Sequence, residues 1–359
     1  MLDRITISTF RNHAESVLEG AGRFNVLVGE NGAGKTNVLE ALSMLAPGRG
    51  LRRATLGEMA ARSGGGGFAI GADLASAGGL AARIGTFVEP PSLGRRRVRI
   101  NGAEGSAAEL GEWLAVTWLT PAMDGLFTGP AADRRRFLDR MALALDPRHA
   151  FHAGRYEAAL RERNRLLAAD RVPDPFWLDG IEAQMAEHGG ALMRGRALLV
   201  DTLMAAIAAM PAEPFARPAL TWIAGGPDHG EGLAQALHDN RTRDRAAQRT
   251  LAGPHRDELQ VIHAAKRLPA AQSSTGEQKA MLVAIVLAHA GLAARGRPGV
   301  LLLDEIAAHL DPVRRAALFD QLGQSGAQVW MTGTEAAPFA SILDDATHWT
   351  IAGGAVIPR

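Results

Sequence analysis

The chain has 359 residues, 47% hydrophobic and 21% charged, with a formal net charge of +1, which is ordinary for a soluble globular protein of two or three domains. It contains no cysteine, so disulfides, zinc-thiolate sites and thiol nucleophiles are excluded. So balanced a charge does not by itself announce a polyanion partner.

Taken in chain order, Ile5, Ile7 and Thr9 alternate with polar neighbours, the period of a strand with one buried face. The run 24–28 is apolar but for Asn25 and is followed by a glycine, which suits a buried strand. Val38, Leu39, Leu42 and Leu45 have helical spacing, with Pro47 as the stop. Segments 68–70, 80–88 and 97–100 read as short antiparallel strands, and Asn101-Gly102 as a tight hairpin turn. Residues 113–119 read as a further strand. The period then turns helical over 133–145, 149–169 and 176–210, punctuated by Pro147, Pro173, Pro175 and Pro211. A strand pattern returns at 258–263, and a long helix follows Ser274 to Gln278. Segments 300–303 and 328–331 are buried strands flanking a helix at 312–322. Strand and helix alternate here as in an α/β fold with a parallel sheet. The domains expected are 1–125, a mostly helical insertion at 126–248, and 249–359. No apolar stretch is long enough to span a bilayer, and the N-terminus lacks a signal-peptide pattern. A cytoplasmic protein without a membrane partner is the expectation.

Two motifs carry phosphate chemistry. Gly29-Glu30-Asn31-Gly32-Ala33-Gly34-Lys35-Thr36 has full P-loop spacing between a strand and a helix. Its backbone N–H groups would face the phosphates of a nucleotide such as ATP. Lys35 would reach the β- and γ-phosphates, and the Thr36 hydroxyl would ligate Mg2+. Leu301 to Leu303 form a buried strand ending in Asp304 and Glu305. Asp304 is placed to hold the magnesium, and Glu305 to orient or deprotonate the attacking water. Ser274-Thr275-Gly276-Glu277-Gln278, at a helix start, offers a hydroxyl and N–H groups suited to a γ-phosphate. The same residues also fit a capping box between Ser274 and Glu277.

Arginine outnumbers lysine thirty-six to three, and it clusters at Arg95-Arg96-Arg97 with Arg99, at Arg134-Arg135-Arg136, and at Arg241, Arg243, Arg245 and Arg249. A GC-rich genome explains the bias, and a solvated helix face explains a run. Clustered guanidinium groups also suit a phosphate backbone.

Together these motifs resemble the heads of ABC-type ATPases: P-loop, signature segment, acidic strand end, then Asp311 in a following loop. That resemblance implies a parallel-sheet core with an antiparallel β-subdomain. It also implies an ATP-dependent homodimer in which Ser274, Gly276, Gln278 and Asp311 serve the nucleotide across the interface. Within that superfamily the chain is similar to the RecF family of bacterial recombination mediators. The likeness rests on Phe10-Arg11-Asn12, on Gly34-Lys35-Thr36-Asn37 leading into Leu39-Glu40-Ala41, and on Arg134 through Asp139. It continues through Tyr156, Arg161 through Leu167, and Gly253-Pro254-His255-Arg256-Asp257. The family likeness implies clamping of single-stranded, duplex or gapped DNA, a RecR-like partner and support of the SOS response. It also implies a weak DNA-dependent ATPase acting as a switch. Two departures from ABC ATPases stand out. Met331-Thr332-Gly333-Thr334-Glu335 has no switch histidine, and no Q-loop glutamine lies near Trp118 to Pro121. Both favour slow hydrolysis. A transporter ATPase subunit is the alternative from the motifs alone; the long insertion and the two departures weigh against it.

Overall fold

The computed structural model describes all residues except 62–64, 77–78, 91, 212, 228–231, 295 and 359. The chain divides into two compact units, Met1–Asp124 with Val286–Arg359, and Gly125–Ile285.

The first unit begins with the hairpin β1 (Leu2–Phe10) and β2 (His13–Glu19), followed by β3 (Phe24–Val28) and helix α1 (Lys35–Ser43). Strands β4 (Phe68–Ser76), β5 (Gly79–Val88), β6 (Arg97–Ile100) and β7 (Ala103–Gly105) come next, then β8 (Ala115–Leu119). The expected strand at 113–119 thus begins two residues late, because Leu110–Trp113 make a helical turn first. An antiparallel sheet has the order β2-β1-β4-β5-β6-β7. Asn101 and Gly102, both at positive φ, close the β6–β7 hairpin as their residue types require.

The second unit opens with three helices, α2 (Ala131–Leu145), α3 (Arg148–Leu167) and α4 (Pro175–Ala209). Strand β9 (Pro218–Ile223) and the short helices α5 (Leu233–Asp239) and α6 (Arg241–Ala246) follow, then β10 (Glu258–His263) and β11 (Leu268–Pro269). A boundary at 248 is therefore misplaced. β9 pairs antiparallel with β10 from Pro218↔His263 to Ile223↔Glu258, so a cut between them would sever a hydrogen-bonded ladder. The dividing line falls instead within α7 (Thr275–Ala293). The lobe is mostly helical but carries a three-stranded sheet, β11-β10-β9.

Returning to the first unit, β12 (Gly299–Leu303), α8 (Pro312–Gln324), β13 (Gln328–Gly333), β14 (Ala346–Ala352) and β15 (Ala355–Pro358) complete the chain. The core sheet has the order β15-β14-β3-β13-β12-β8, parallel from β14 to β8 with β15 antiparallel at the edge. Every residue of β8, β12 and β13 is buried, which is why these strands are predominantly apolar. Trp330 and Trp349 stack within this core, their ring centroids 6.5 Å apart. The order β3-β13-β12 brings the carboxyl ends of three strands side by side, where open parallel sheets place their ligands.

The second unit is held by buried charge. Arg163, fully buried, donates to Glu182 at 2.9 Å, to Asp244 at 2.6 Å, to the Thr250 hydroxyl and to the Leu237 carbonyl. Removing one member strands the others without water. Arg163→Ala should therefore lower unfolding stability by about 3–5 kcal/mol, read from the denaturant midpoint. A change below about 1 kcal/mol would show that this network is not a linchpin of the lobe.

Candidate functional site

The loop from Gly29 to Gly34 joins β3 to α1 and is pinned along its length. Gly29 N donates to the Gly333 carbonyl at 3.3 Å, and Ala33 N to that of Glu30 at 3.2 Å. The tip residues Glu30, Asn31 and Gly32 are exposed. Gly34 has φ +116°, and a Cβ there would lie 2.8 Å from the side chains of Asn12 and His13, so only glycine fits. Lys35 is buried, and its ammonium donates to the carbonyls of Gly29 at 2.7 Å and Glu30 at 2.9 Å. It thus spans the loop from within, as a phosphate-binding lysine must.

The acidic strand end meets this loop. Asp304 Oδ1 accepts from the Thr36 hydroxyl at 2.9 Å and from the Thr332 hydroxyl at 2.8 Å. Thr332 Oγ1 in turn accepts from Glu305 N at 2.9 Å. Asp304 N is tied to the Leu119 carbonyl of β8 at 2.9 Å. Glu305 has φ +53°, uncommon for a residue with a side chain. Register explains the convergence: Thr332 lies opposite Leu27 of β3, one residue beyond the Met331↔Leu303 pair with β12. The threonine and carboxylate oxygens are hard donors of the kind magnesium takes, so Thr36 and Asp304 fit that ion.

A shell that the motif letters did not reveal holds the loop from the other side. Asn12 Nδ2 donates to the Ala33 carbonyl at 3.0 Å, and Asn37 Nδ2 to Asn12 Oδ1 at 2.7 Å. Arg52 reaches Asn37 at 2.6 Å and Glu40 at 2.9 Å, while Arg11 grips both oxygens of the fully buried Glu40. His13 is also fully buried. Its Nε2 faces the Gly34 carbonyl at 3.1 Å, so that nitrogen carries the proton, and Nδ1 accepts from the Ser16 hydroxyl at 2.9 Å. Burial pushes the imidazole pKa down, and bonds to the Gly34 and Gly354 carbonyls pull it partly back. The available signal was Glu40 itself, an acid among apolar positions of a buried helix.

The signature segment lies in the second unit. Ser274 and Glu277 make the reciprocal cap: Ser274 N donates to the Glu277 carboxylate at 3.1 Å, and Glu277 N to Ser274 Oγ at 3.4 Å. Lys266 and the Ser274 N–H hold the Glu277 pKa down at about 2. Gln278 is buried, with Nε2 on the Ser273 carbonyl at 2.8 Å, so it braces the turn rather than facing outward. Ser274, Thr275 and Gly276 are exposed. Asp311, in the first unit, is exposed and caps α8, accepting from Arg314 N at 2.9 Å. Its bonds stay within its own helix.

Several arginines of the three clusters are engaged by neighbouring groups of the fold. Arg96 donates to the carbonyls of Met44, Ala46 and Gly48 beyond the end of α1, and desolvation lowers its pKa to about 10. Arg97 pairs with Glu89 and Glu104. Arg134 makes a two-pronged bond to Glu258 at 2.7 and 2.8 Å, Arg135 donates to the Asp257 carbonyl, and Arg136 pairs with Asp133. Arg241 pairs with Asp179 and Glu182. Arg95, Arg99, Arg136, Arg243 and Arg249 are exposed.

Gly253-Pro254-His255-Arg256-Asp257 is a scaffold. Gly253 sits at φ +128°, where a Cβ would lie 2.6 Å from the Tyr156 oxygen. His255 bridges the Tyr156 hydroxyl at 2.8 Å and the Thr250 carbonyl at 3.0 Å. The fully buried Asp257 accepts from Arg196, Trp222 Nε1 and Gly225 N at 2.7, 3.0 and 2.8 Å. Arg256 alone among the five is exposed.

The family model "RecF/RecN/SMC N terminal domain" matches residues 1–346. The chain is 50% identical to the DNA replication and repair protein RecF of Mesorhizobium japonicum, covering 99% of this chain and 97% of the relative. It is 48% identical to that of Brucella suis, covering 98% and 94%. Its fold is similar to the solved structure of the recombination mediator protein RecF-ATP in the RecFOR pathway, with TM-score 0.84, 23% identity, and 100% and 99% of the two chains covered. An Smc head bound to the C-winged helix domain of ScpA has TM-score 0.53 at 15% identity over 100% and 97% of the chains.

Because Gly34 carries both a left-handed backbone and a crowded Cβ position, Gly34→Ala should distort the loop. Titration with a fluorescent nucleoside triphosphate should show affinity reduced at least about tenfold, the equivalent of one strained contact. Unchanged affinity would show that the loop is not the binding element.

Proposed function

The chain belongs to the RecF family, and from that premise we propose that it is an ATP-operated DNA-binding protein of recombinational repair. One observation carries the reading. Thr36 of the P-loop and Thr332 both bond the Asp304 carboxylate, with Glu305 next in line. That is the constellation needed to hold and cleave a nucleoside triphosphate.

In this reading the loop N–H groups and Lys35 hold the β- and γ-phosphates of ATP. The oxygen of a water bonds to the γ-phosphorus while the bond to the bridging oxygen breaks. Its electron pair leaves with ADP, and Glu305 takes the water proton. Magnesium, when bound through Thr36 and Asp304, would neutralise phosphate charge. A threonine hydroxyl is a poor acid or base at neutral pH. Its place at the end of β13, where transport heads commonly carry a histidine, supports slow turnover used as a timer.

Ser274 and Gly276 face solvent at a helix N-terminus, and Asp311 is exposed. Both features support a second copy of the chain supplying these groups to the nucleotide, so that ATP dimerises the protein and closes it on DNA. Gapped DNA, a RecR-like partner and support of the SOS response belong to the same proposal, which the relatives' names as replication and repair proteins support. No observation favours the transport alternative; among the described residues no helix is long and apolar enough to cross a membrane.

The test is binding of labelled gapped DNA with and without ATP. ATP should raise wild-type affinity, with steep weakening as salt rises, and Lys35→Ala should abolish the ATP effect. If Lys35→Ala kept full ATP-dependent binding, the switch would not be this site.

A further inference from the structure

The hydroxyl of Thr332 bridges the two acids of the site. It donates to Asp304 Oδ1 at 2.8 Å and accepts from Glu305 N at 2.9 Å, in a residue that is 1% exposed. One hydroxyl has one proton to give, and that proton is committed to Asp304, while the oxygen accepts from the Glu305 N–H. Meanwhile Glu305 is held at φ +53°, a conformation that is unfavourable for a non-glycine residue and persists only where surroundings enforce it. The enforcing contacts are visible. Asp304 N is anchored to Leu119 on one side, and Glu305 N to Thr332 on the other. The direction in which the Glu305 carboxylate leaves the backbone follows from that φ.

We propose that Thr332 is a positioning residue for hydrolysis, which aims Glu305 by fixing its left-handed backbone and steadies Asp304 through the same hydroxyl. This rests on the ATPase reading above. It gives a physical content to the absent switch histidine. The end of β13 keeps a hydrogen-bonding group, but one that points back at the acids and sets their geometry instead of exchanging protons. Its loss should slow the chemical step while leaving the phosphate cradle intact, because Gly29 to Lys35 make their own contacts without it. The signature is therefore a fall in kcat with little change in KM.

Three variants of the full-length chain test this. Thr332→Val keeps the shape and removes the hydroxyl; it should bind ATP within about twofold of wild type and lose about 10- to 100-fold in kcat, the range of a misplaced catalytic group. Its ATP-bound dimer, followed by light scattering after a nucleotide chase, should outlast that of the wild type. Thr332→Ser should restore turnover to within about threefold, because the hydroxyl and not the methyl is at issue. The double variant Thr332→Val with Glu305→Gln should lose much less than the product of the two single losses, since the threonine acts chiefly through the glutamate. Wild-type turnover by Thr332→Val, a serine variant as slow as the valine, or additive losses in the double variant would each overturn the proposal. If the wild type itself binds no ATP or does not turn it over, the ATPase reading falls with it. If the wild type is active and only the Thr332 results deviate, that reading stands and the positioning role alone is lost.

Discussion

One carboxylate oxygen gathers the site. Asp304 Oδ1 receives the hydroxyls of Thr36 and Thr332, and through it three segments far apart in the chain become one constellation. The parallel order β3-β13-β12 makes the meeting possible. Each strand delivers one element at its carboxyl end: the phosphate loop, the threonine and the pair of acids. A strand inserted between them, or a register shift of one residue, would turn Thr332 to the other face of the sheet and dissolve the arrangement.

Within each unit the protein puts buried charge to structural use. Glu40 is gripped by Arg11 and Arg52, Asp257 by Arg196, and Arg163 by Glu182 and Asp244. A buried ion left single is costly, so each network fixes the geometry of the segments that share it. In the first unit this stiffness reaches the phosphate loop through Asn37 and Asn12. In the second it freezes the turn at Gly253 to Asp257 and leaves Arg256 as the outward-facing member. Arg11, Arg96, Arg134, Arg163 and Arg196 thus act as internal fasteners, while many other arginines are exposed. A phosphate surface has to be sought among the exposed remainder, such as Arg95, Arg243, Arg249 and Arg256.

Much of this was legible in the residues. Gly29 to Thr36 could be placed between a strand and a helix because the apolar run 24–28 and the spacing of Val38, Leu39 and Leu42 are local signals. The parallel strands at 300–303 and 328–331 announced themselves as short, largely apolar runs, since both of their faces are covered. What escaped was non-local or disguised. β9 begins at a proline and follows others, so its β-forming Leu220, Trp222 and Ile223 were taken into a helical insertion, and the lobe was ended too early. Arg96 and Arg134 looked like phosphate ligands because sequence shows charge but not the carbonyls and carboxylates that absorb it. Arg11, Asn12, His13 and Glu40 act only through partners across a loop or in another element, which no spacing reveals. Thr332 was noticed for what it lacks as a histidine substitute; its bonds to both acids depend on strand register.

The central claim is that one copy's Gly29–Thr36, Asp304 and Glu305 work with another copy's Ser274. Mixing two inactive variants tests it most directly. Lys35→Ala spoils the phosphate loop and keeps the signature serine, while Ser274→Arg blocks the signature and keeps the loop. In a mixed dimer, one composite site is intact. The account predicts that each variant alone shows no ATP-dependent turnover and that mixing them restores part of the wild-type rate. Wild-type turnover by Ser274→Arg alone, or a mixture of two stably folded variants as inactive as its parts, would contradict a site shared between two copies.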